Sequence, residues 1–436
     1  MLKQKHNEQI DADSPREIWR IQRNNGIFYA IREGCYAAAA LFISGTFVQL
    51  YLAQQGVSTV DIGVFNTVLC VVSLAATMAF SDLAERRPNA VRQNGWLLLA
   101  ISLFFVCYLP LLLHRQSVPL AVWLLVTVVA SVQIVLASCK GVLDYKMLYQ
   151  IIDIERYGAV ASMTGVSIGL FGMVYSWLFA QTLSRFSART AFLIGFLFSA
   201  LLVLAAYVCN RKMTVIHDPF VHPKQAKVSV KAKVNMVASV LRQPEFRAFV
   251  VPNTLRGVTI GILNSLVLVA LELGVSAKTA ASLAMAGSIG YLLGSLSYNA
   301  LSRVISPKRL GLIGAGILCA VIFLPYSGKE ILFLIIAMFG YMGRTLVDYA
   351  VPSMVFQLID PAVSGVYNAW RTVLFSVAAA AMSYLVGALL GKIPTVAILI
   401  LCAAGYLICA VWYFLMINRF MKKPALQQDG QLENEG

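Results

Sequence analysis

Long apolar segments recur along the whole chain and are separated by short polar stretches. A helix needs about 20 apolar residues to cross the hydrocarbon core of a bilayer. The pattern predicts an all-α polytopic membrane protein with twelve transmembrane helices. The predicted spans are residues 27–54, 58–81, 94–113, 118–149, 158–183, 189–210, 247–272, 277–302, 309–326, 329–356, 362–391 and 394–418.

One polar, basic and proline-containing stretch, residues 211–246, interrupts the apolar pattern and divides the chain into two sets of six spans. It predicts a cytoplasmic linker between two six-helix bundles, flanked by polar ends. The predicted regions are a cytoplasmic N-terminal segment at 1–26, an N-terminal bundle at 27–210, the linker at 211–246, a C-terminal bundle at 247–418 and a cytoplasmic tail at 419–436.

The composition agrees with a membrane protein, because 59% of the residues are hydrophobic and only 13% are charged. Soluble domains carry about 25% charged residues, so a soluble enzyme and a nucleic-acid-binding module are both excluded. The net charge of +15 has a simple source in the loops. With the N-terminus in the cytoplasm, cytoplasmic segments carry 23 of the 35 Lys and Arg residues, and outer loops carry 6. This bias predicts that both termini are cytoplasmic.

A charged motif in the fourth predicted span recurs in the tenth. The pattern [Lys/Arg]-x3-Asp-Tyr begins at Lys140 in one copy and at Arg344 in the other. A Gln-[Ile/Leu]-Ile-Asp sequence follows each copy, at residues 150–153 and 357–360. Such matching charges in corresponding spans predict two parallel repeats, and therefore two pseudo-symmetric six-helix bundles.

The chain resembles the major facilitator superfamily over residues 26–420, in its six-plus-six spans, basic central linker and parallel halves. The loop after the second span resembles the superfamily motif G-x-x-x-D-[RK]-x-G-[RK]-[RK] at Asp82, Arg86 and Arg87. Three positions depart from it: Met78, Leu83 and Glu85. The resemblance implies that the matching residues latch a cytoplasmic gate against the eleventh helix, where Arg371 is the candidate partner. A helix-end Asp beside a positive-inside loop is the alternative.

Charged residues within the spans are the main functional clue, since each costs about 2.5–3.5 kcal/mol at the bilayer centre. Apart from Lys146 and Arg371, the deep ones lie in the predicted first, fourth, seventh and tenth spans: Arg32, Glu33, Lys140, Asp144, Arg256, Arg344 and Asp348. The resemblance implies that these four spans line a central cavity. Because adjacent residues point about 100° apart on a helix, at most one of Arg32 and Glu33 faces the cavity centrally.

Helical spacing adds two polar residues to this set. Gln133 shares one narrow face of the fourth span with Lys140 and Asp144, and Asn264 shares a face of the seventh span with Arg256. The predicted substrate and ion pathway is Arg32, Glu33, Gln133, Lys140, Asp144, Arg256, Asn264, Arg344 and Asp348.

The chemistry of these ions leaves alternatives open. Lys140 with Asp144, and Arg344 with Asp348, have the spacing of intrahelical pairs that neutralise themselves. Arg256 and Arg344 favour an anionic or zwitterionic solute, because a guanidinium binds carboxylate or phosphate through two hydrogen bonds; alternatively, they only balance the acids. Three acids are candidates for coupling transport to protons: Glu33, Asp144 and Asp348.

The sequence therefore predicts a secondary active transporter that moves a small polar solute by alternating access. One alternative is a proton-coupled exporter of amphiphilic compounds. Gly165, Gly169 and Gly172 resemble the glycine pattern of drug/proton antiporters, although Leu170 stands where their proline is expected. A non-transporting membrane receptor on the same scaffold is a further alternative.

No catalytic constellation, Walker A sequence or Cys/His metal spacing is present in the sequence, so we expect neither an enzyme nor a cofactor or metal. The expected partners are a small-molecule substrate and the lipid bilayer, with the proton as one candidate coupling ion and without nucleic acid. We expect a monomer in a cell membrane, either inner or plasma, because the loops are short and no targeting segment is recognisable.

Overall fold

The computed structural model describes residues 15–80, 89–109, 118–153, 156–216, 244–302, 304–321, 329–358 and 364–420. These residues form thirteen α-helices and one 3-10 helix, and they contain no strand, which confirms the predicted all-α class. The helices are α1 Pro15–Ala40, α2 Thr46–Gln54, α3 Thr59–Ala79, α4 Ala90–Phe104, the 3-10 helix Phe105–Tyr108, α5 Pro119–Ile151, α6 Tyr157–Arg185, α7 Ala188–Arg211, α8 Pro244–Glu272, α9 Ala277–Leu301, α10 Pro307–Val321, α11 Glu330–Leu358, α12 Ser364–Leu389 and α13 Thr395–Phe420.

Helix α1 and helix α2 together form the first predicted span. Residues 41–45 separate them as a series of turns, in which the amides of Phe47 and Val48 both donate to the carbonyl of Leu41, at 3.1 and 3.3 Å. Irregular backbone at membrane depth is stable only when it is buried in protein or lines a cavity. Here it leads directly into Phe47–Leu52 of α2, which are all buried.

Equivalent turns in the two halves reveal the repeat in the backbone. Gly56 precedes α3 and Gly274 precedes α9, and both adopt positive φ angles, of 79° and 76°. A serine two residues later caps each helix: Ser58 accepts a hydrogen bond from the amide of Asp61, and Ser276 accepts one from Thr279. A residue with a Cβ is strained at positive φ, so Gly-Val-Ser recurs where the same turn is needed.

The helices pack as two six-span bundles, α1–α7 and α8–α13, in agreement with the predicted fold class. Within the described residues, seven helices satisfy both the length and the hydropathy of a membrane span, and three shorter apolar helical segments accompany them. The bundles contact each other mainly through α6 against α9 and α3 against α12, with α2 against α8 and α9.

Glycines allow close approach at both of the long contacts between the halves. On α6, Gly165, Gly169 and Gly172 face α9, and a Cβ added at Gly169 would lie 2.9 Å from the Cα of Leu292. On α3, a Cβ at Gly63 would lie 3.0 Å from the Cα of Gly387 on α12. Small residues thus let these backbones pack directly, as expected for helices in a bilayer.

The two membrane faces differ in the segments they carry. The turn 55–58 between α2 and α3 lies at one face, called the α2 face, and α7 ends with Arg211 at the opposite face, called the linker face. At the linker face Asn25 joins three segments: its Nδ2 donates to the carbonyls of Ile151 and Thr214, both at 2.8 Å, and its Oδ1 accepts from the Thr214 amide. Helix α1 therefore begins at Pro15 and projects beyond the predicted span to hold the start of the linker.

Several predictions fall outside the described residues. They are the central part of the linker, residues 217–243, the tail from 421 onward, the first fourteen residues, and the gate residues Asp82, Arg86 and Arg87. Arg371 lies on α12, but its side chain is also outside the described part. The five-region division and the gate therefore stay predictions.

Candidate functional site

Four charged side chains of the N-terminal half form one closed network between α1 and α5. Glu33 accepts hydrogen bonds at Oε1 from Arg32 Nη2 at 2.5 Å and from Lys140 Nζ at 2.8 Å. Asp144 accepts from Arg32 Nη2 at Oδ1, at 2.5 Å, and from Lys140 Nζ at Oδ2, at 2.7 Å. Each acid thus contacts both bases, and the network has no net charge.

Two asparagines that the sequence analysis missed extend this network to α4 and α7. Asn94 Nδ2 donates to Asp144 Oδ1 at 2.9 Å. Asn210 Oδ1 accepts from Arg32 Nη1 at 2.9 Å, while its own Nδ2 donates to the carbonyl of Val91 at 2.7 Å. Their only signal in the sequence is an amide within an otherwise apolar span, which does not reveal the partner.

The acids and bases of the network differ in exposure. The side chains of Glu33 and Asp144 are 15% and 14% exposed, whereas those of Arg32 and Lys140 are 0% and 4% exposed. All hydrogen bonds to Glu33 from described residues end on Oε1, which leaves Oε2 without a partner in the described part of the chain. The network therefore presents carboxylate oxygen outward and keeps its cations inside the bundle.

Aromatic rings complete the surroundings of the two cations. The Arg32 guanidinium lies 4.7 Å from the ring centroid of Tyr29, and Lys140 Nζ lies 4.7 Å from that of Tyr36. Cation–π contacts of this kind stabilise charges that have lost their water. Both tyrosines belong to α1, so this helix supplies acid, base and aromatic faces together.

Gln133 lies on the same side of α5 but has different partners. Its Oε1 accepts a hydrogen bond from the Tyr108 hydroxyl at 3.2 Å, and its Nε2 donates to the Ile101 carbonyl at 3.4 Å. The residue is fully buried. Gln133 therefore packs inside the N-terminal half against the α4 segment. Asp144, on the same face of α5, contacts both Asn94 of α4 and Arg32 of α1.

The equivalent pair in the C-terminal half is more open. Arg344 Nε donates to Asp348 Oδ2 at 3.3 Å, and the two side chains are 19% and 16% exposed. The guanidinium also lies 5.3 Å from the ring centroid of Tyr341. Within the described part of the chain, the Arg344 side chain forms this hydrogen bond through Nε, and neither terminal amino group forms one. Arg32, in contrast, uses Nε, Nη1 and Nη2.

A tyrosine beside this pair reaches the other half of the molecule. The Tyr349 hydroxyl packs against Gly165 of α6 and lies 3.5 Å from Ser295 Oγ of α9. Its ring lies 5.3 Å from that of Tyr298. Asn299, one helical turn beyond Ser295, donates a hydrogen bond to Ser162 of α6. The ion pair of α11 is therefore adjacent to the contact between the halves.

The candidates on α8 are only partly visible. Asn264 is half-buried, and its side chain makes no hydrogen bond to any residue that the structure describes. The side chain of Arg256 lies outside the described part of the chain.

The sequence profile of the MFS_1 like family matches residues 36–339, which is more than two thirds of the chain. The chain belongs to the MFS_1 like family. This membership confirms the resemblance to the major facilitator superfamily, and it makes the chain a multi-pass membrane transporter and not an enzyme. No curated protein matches the chain significantly in sequence.

Solved transporters share the fold of this chain at low sequence identity. The nucleoside transporter NupG is 13% identical, with a TM-score of 0.63 over 91% of this chain and 99% of NupG. A bacterial homologue of the iron transporter ferroportin, in the outward-facing state, is 14% identical, with a TM-score of 0.64 over 92% of this chain and 100% of its own. The POT family transporter PepTSo is 12% identical, with a TM-score of 0.63 over 94% and 99% of the two chains. These likenesses establish the fold alone.

Proposed function

We propose that the protein is a secondary active transporter that moves a small polar solute across the membrane by alternating access. The observation that carries the proposal is the unequal pairing of the intramembrane ions. The N-terminal ions compensate one another and leave a single carboxylate oxygen, Glu33 Oε2, without a described partner. The C-terminal Arg344 keeps two amino groups without a described acceptor.

This arrangement favours a solute that carries both a hydrogen-bond donor and an anionic group. An amino or hydroxyl group complements Glu33, and a carboxylate or phosphate complements the terminal amino groups of Arg344, which can donate two parallel hydrogen bonds. A zwitterion satisfies both partners at once. We assign Asn264 and Arg256 to the same pathway as further polar contacts, with Tyr341 as an aromatic wall.

The coupling ion in this proposal is the proton, and the carrier is one of the three intramembrane acids, Glu33, Asp144 and Asp348. A carboxylate that exchanges its basic partner for a proton loses its charge, which lowers the cost of moving it between two packed arrangements of the halves. We further propose that Asp82, Arg86, Arg87 and Arg371 form the cytoplasmic gate. The protein would work as a monomer in a cell membrane, inner or plasma, with both termini cytoplasmic.

Flux into proteoliposomes tests the proposal directly. The purified protein is assayed against a panel of labelled amino acids, nucleosides, organic phosphates and hydrophobic cations, each with and without an imposed pH gradient. We expect gradient-stimulated flux of a zwitterionic or anionic solute. Arg344→Gln should reduce it at least tenfold, whereas Arg185→Gln, which removes an exposed cation at the end of α6, should leave it unchanged.

Two results would contradict this assignment. Flux of hydrophobic cations that Arg344→Gln reduces only slightly would indicate an exporter of amphiphilic compounds. Saturable binding of a panel solute without any flux would indicate a receptor.

A further inference from the structure

Two buried amides on α2 and α3 are incompletely hydrogen-bonded. Gln49 is 0% exposed and Asn66 is 6% exposed, and Gln49 Nε2 donates to Asn66 Oδ1 at 3.3 Å. The other two amide atoms, Gln49 Oε1 and Asn66 Nδ2, are buried and have no hydrogen-bond partner among the residues that the structure describes. Rotating both amides reverses the direction of the bond between them.

The pair lies where the two halves meet at the α2 face. Asn66 is next to Thr67, whose hydroxyl lies 3.4 Å from the carbonyl of Ala380 on α12, and one turn from Gly63, which packs on Gly387. Gln49 belongs to α2, which contacts both α8 and α9. Both amides are therefore part of the segments that close the α2 face.

Burying a polar group without a hydrogen bond is unfavourable, because the group has lost its water and gained nothing in exchange. Proteins leave few such groups, and each one calls for a physical explanation. When the halves separate at the α2 face, water or a polar solute group reaches both atoms. The unpaired atoms then form hydrogen bonds, so the free energy of the open arrangement falls relative to that of the closed one.

We propose that the Gln49–Asn66 pair is a release element, which destabilises the closed α2 face and keeps it able to open. The inference rests on the alternating access proposed above, but on no particular solute. It predicts that an apolar replacement of both amides stabilises the closed face, whereas each single replacement still leaves two amide atoms unpaired, as in the wild type, and brings no such gain.

Distances between spin labels measure this equilibrium. Labels at Gln54→Cys and Lys278→Cys report on the α2 face, since both residues are exposed and belong to opposite halves. The eight native cysteines are replaced beforehand. We expect Gln49→Leu/Asn66→Ala to lower the open-to-closed ratio at least tenfold, which corresponds to about 1.4 kcal/mol. Gln49→Leu alone and Asn66→Ala alone should each change it much less than the double variant does.

The controls separate this role from general packing. Ser199→Ala alters a buried hydrogen bond between α6 and α7 within one half, and it should not change the ratio. Any cavity left by the shorter side chains would weaken the closed face and raise the open-to-closed ratio, which is opposite to the expected decrease. Gln49→Met/Asn66→Ala, with a longer apolar side chain, should close the face in the same way.

Two results would overturn the inference. Double variants that are as open as the wild type, or more open, would mean that the amides do not favour opening. A wild type that shows one distance under every condition would refute alternating access itself, and the release element with it.

Discussion

Removing one charge from the ion network of α1 and α5 should strongly destabilise the protein. Asp144→Asn keeps the size of the side chain but leaves Arg32 and Lys140 with Glu33 as their only described carboxylate. Asp144 contacts the two cations at 2.5 and 2.7 Å. Breaking a buried ion pair by removing one partner typically costs about 3–5 kcal/mol, because a charge is left uncompensated. We expect a loss of this size in the free energy of unfolding.

A paired replacement gives the matched comparison. Lys140→Met/Asp144→Leu removes one cation and one anion, and it leaves Arg32 bonded to Glu33 at Nε and Nη2, at 2.9 and 2.5 Å. Replacing a whole buried pair by apolar residues of similar volume is often neutral or stabilising. The double variant should therefore be clearly more stable than either single variant, although it still loses about 1–3 kcal/mol because buried Asn94 Nδ2 no longer has its carboxylate partner.

The free energy of unfolding can be measured in detergent micelles by titration with SDS, followed by tryptophan fluorescence. Arg185→Gln is the surface control and should change it by less than about 0.5 kcal/mol. A loss under about 1 kcal/mol for Asp144→Asn, or a loss in the double variant as large as those of the two single variants together, would show that the pair does not stabilise the fold through its charges.

Two further predictions concern packing at the other contacts. Gly169→Ala should weaken the contact between the halves by about 1–3 kcal/mol, because the new methyl group overlaps Leu292; spin-label distances between α6 and α9 should lengthen. Gly141→Ala is its control, since a Cβ there meets no described atom within 4 Å apart from the nearby backbone of its own helix, and an equal change in that variant would contradict the steric cause. Asn25→Ala should reduce the free energy of unfolding by about 2 kcal/mol and speed tryptic cleavage after Lys212, because Thr214 loses both of its bonds to Asn25; an unchanged cleavage rate would oppose this.

Local information in the sequence determined the spans, the two halves and the positions of the intramembrane charges. Apolar length predicts a membrane helix because the hydrocarbon core rejects unpaired polar groups, whichever neighbours the helix later acquires. The repeat of Lys140 and Asp144 as Arg344 and Asp348 likewise needs only the order of residues. An α-helix turns by 100° per residue, so the adjacent side chains of Arg32 and Glu33 point in different directions. Their exposed fractions differ accordingly, at 0% and 15%.

Packing between distant helices decided the rest. The sequence offered Lys140 and Asp144 as a local pair, but their bonds to α1 join residues 107 and 112 positions apart. Asn94 and Asn210 became partners of the network only when α4 and α7 were placed against it. Hydropathy measures how a residue partitions between water and lipid, and it carries no information about which helices pack against each other. The turns that end α1 also lie within a single predicted span, because residues 41–45 are mostly apolar and a bend buried by neighbouring helices needs few polar residues.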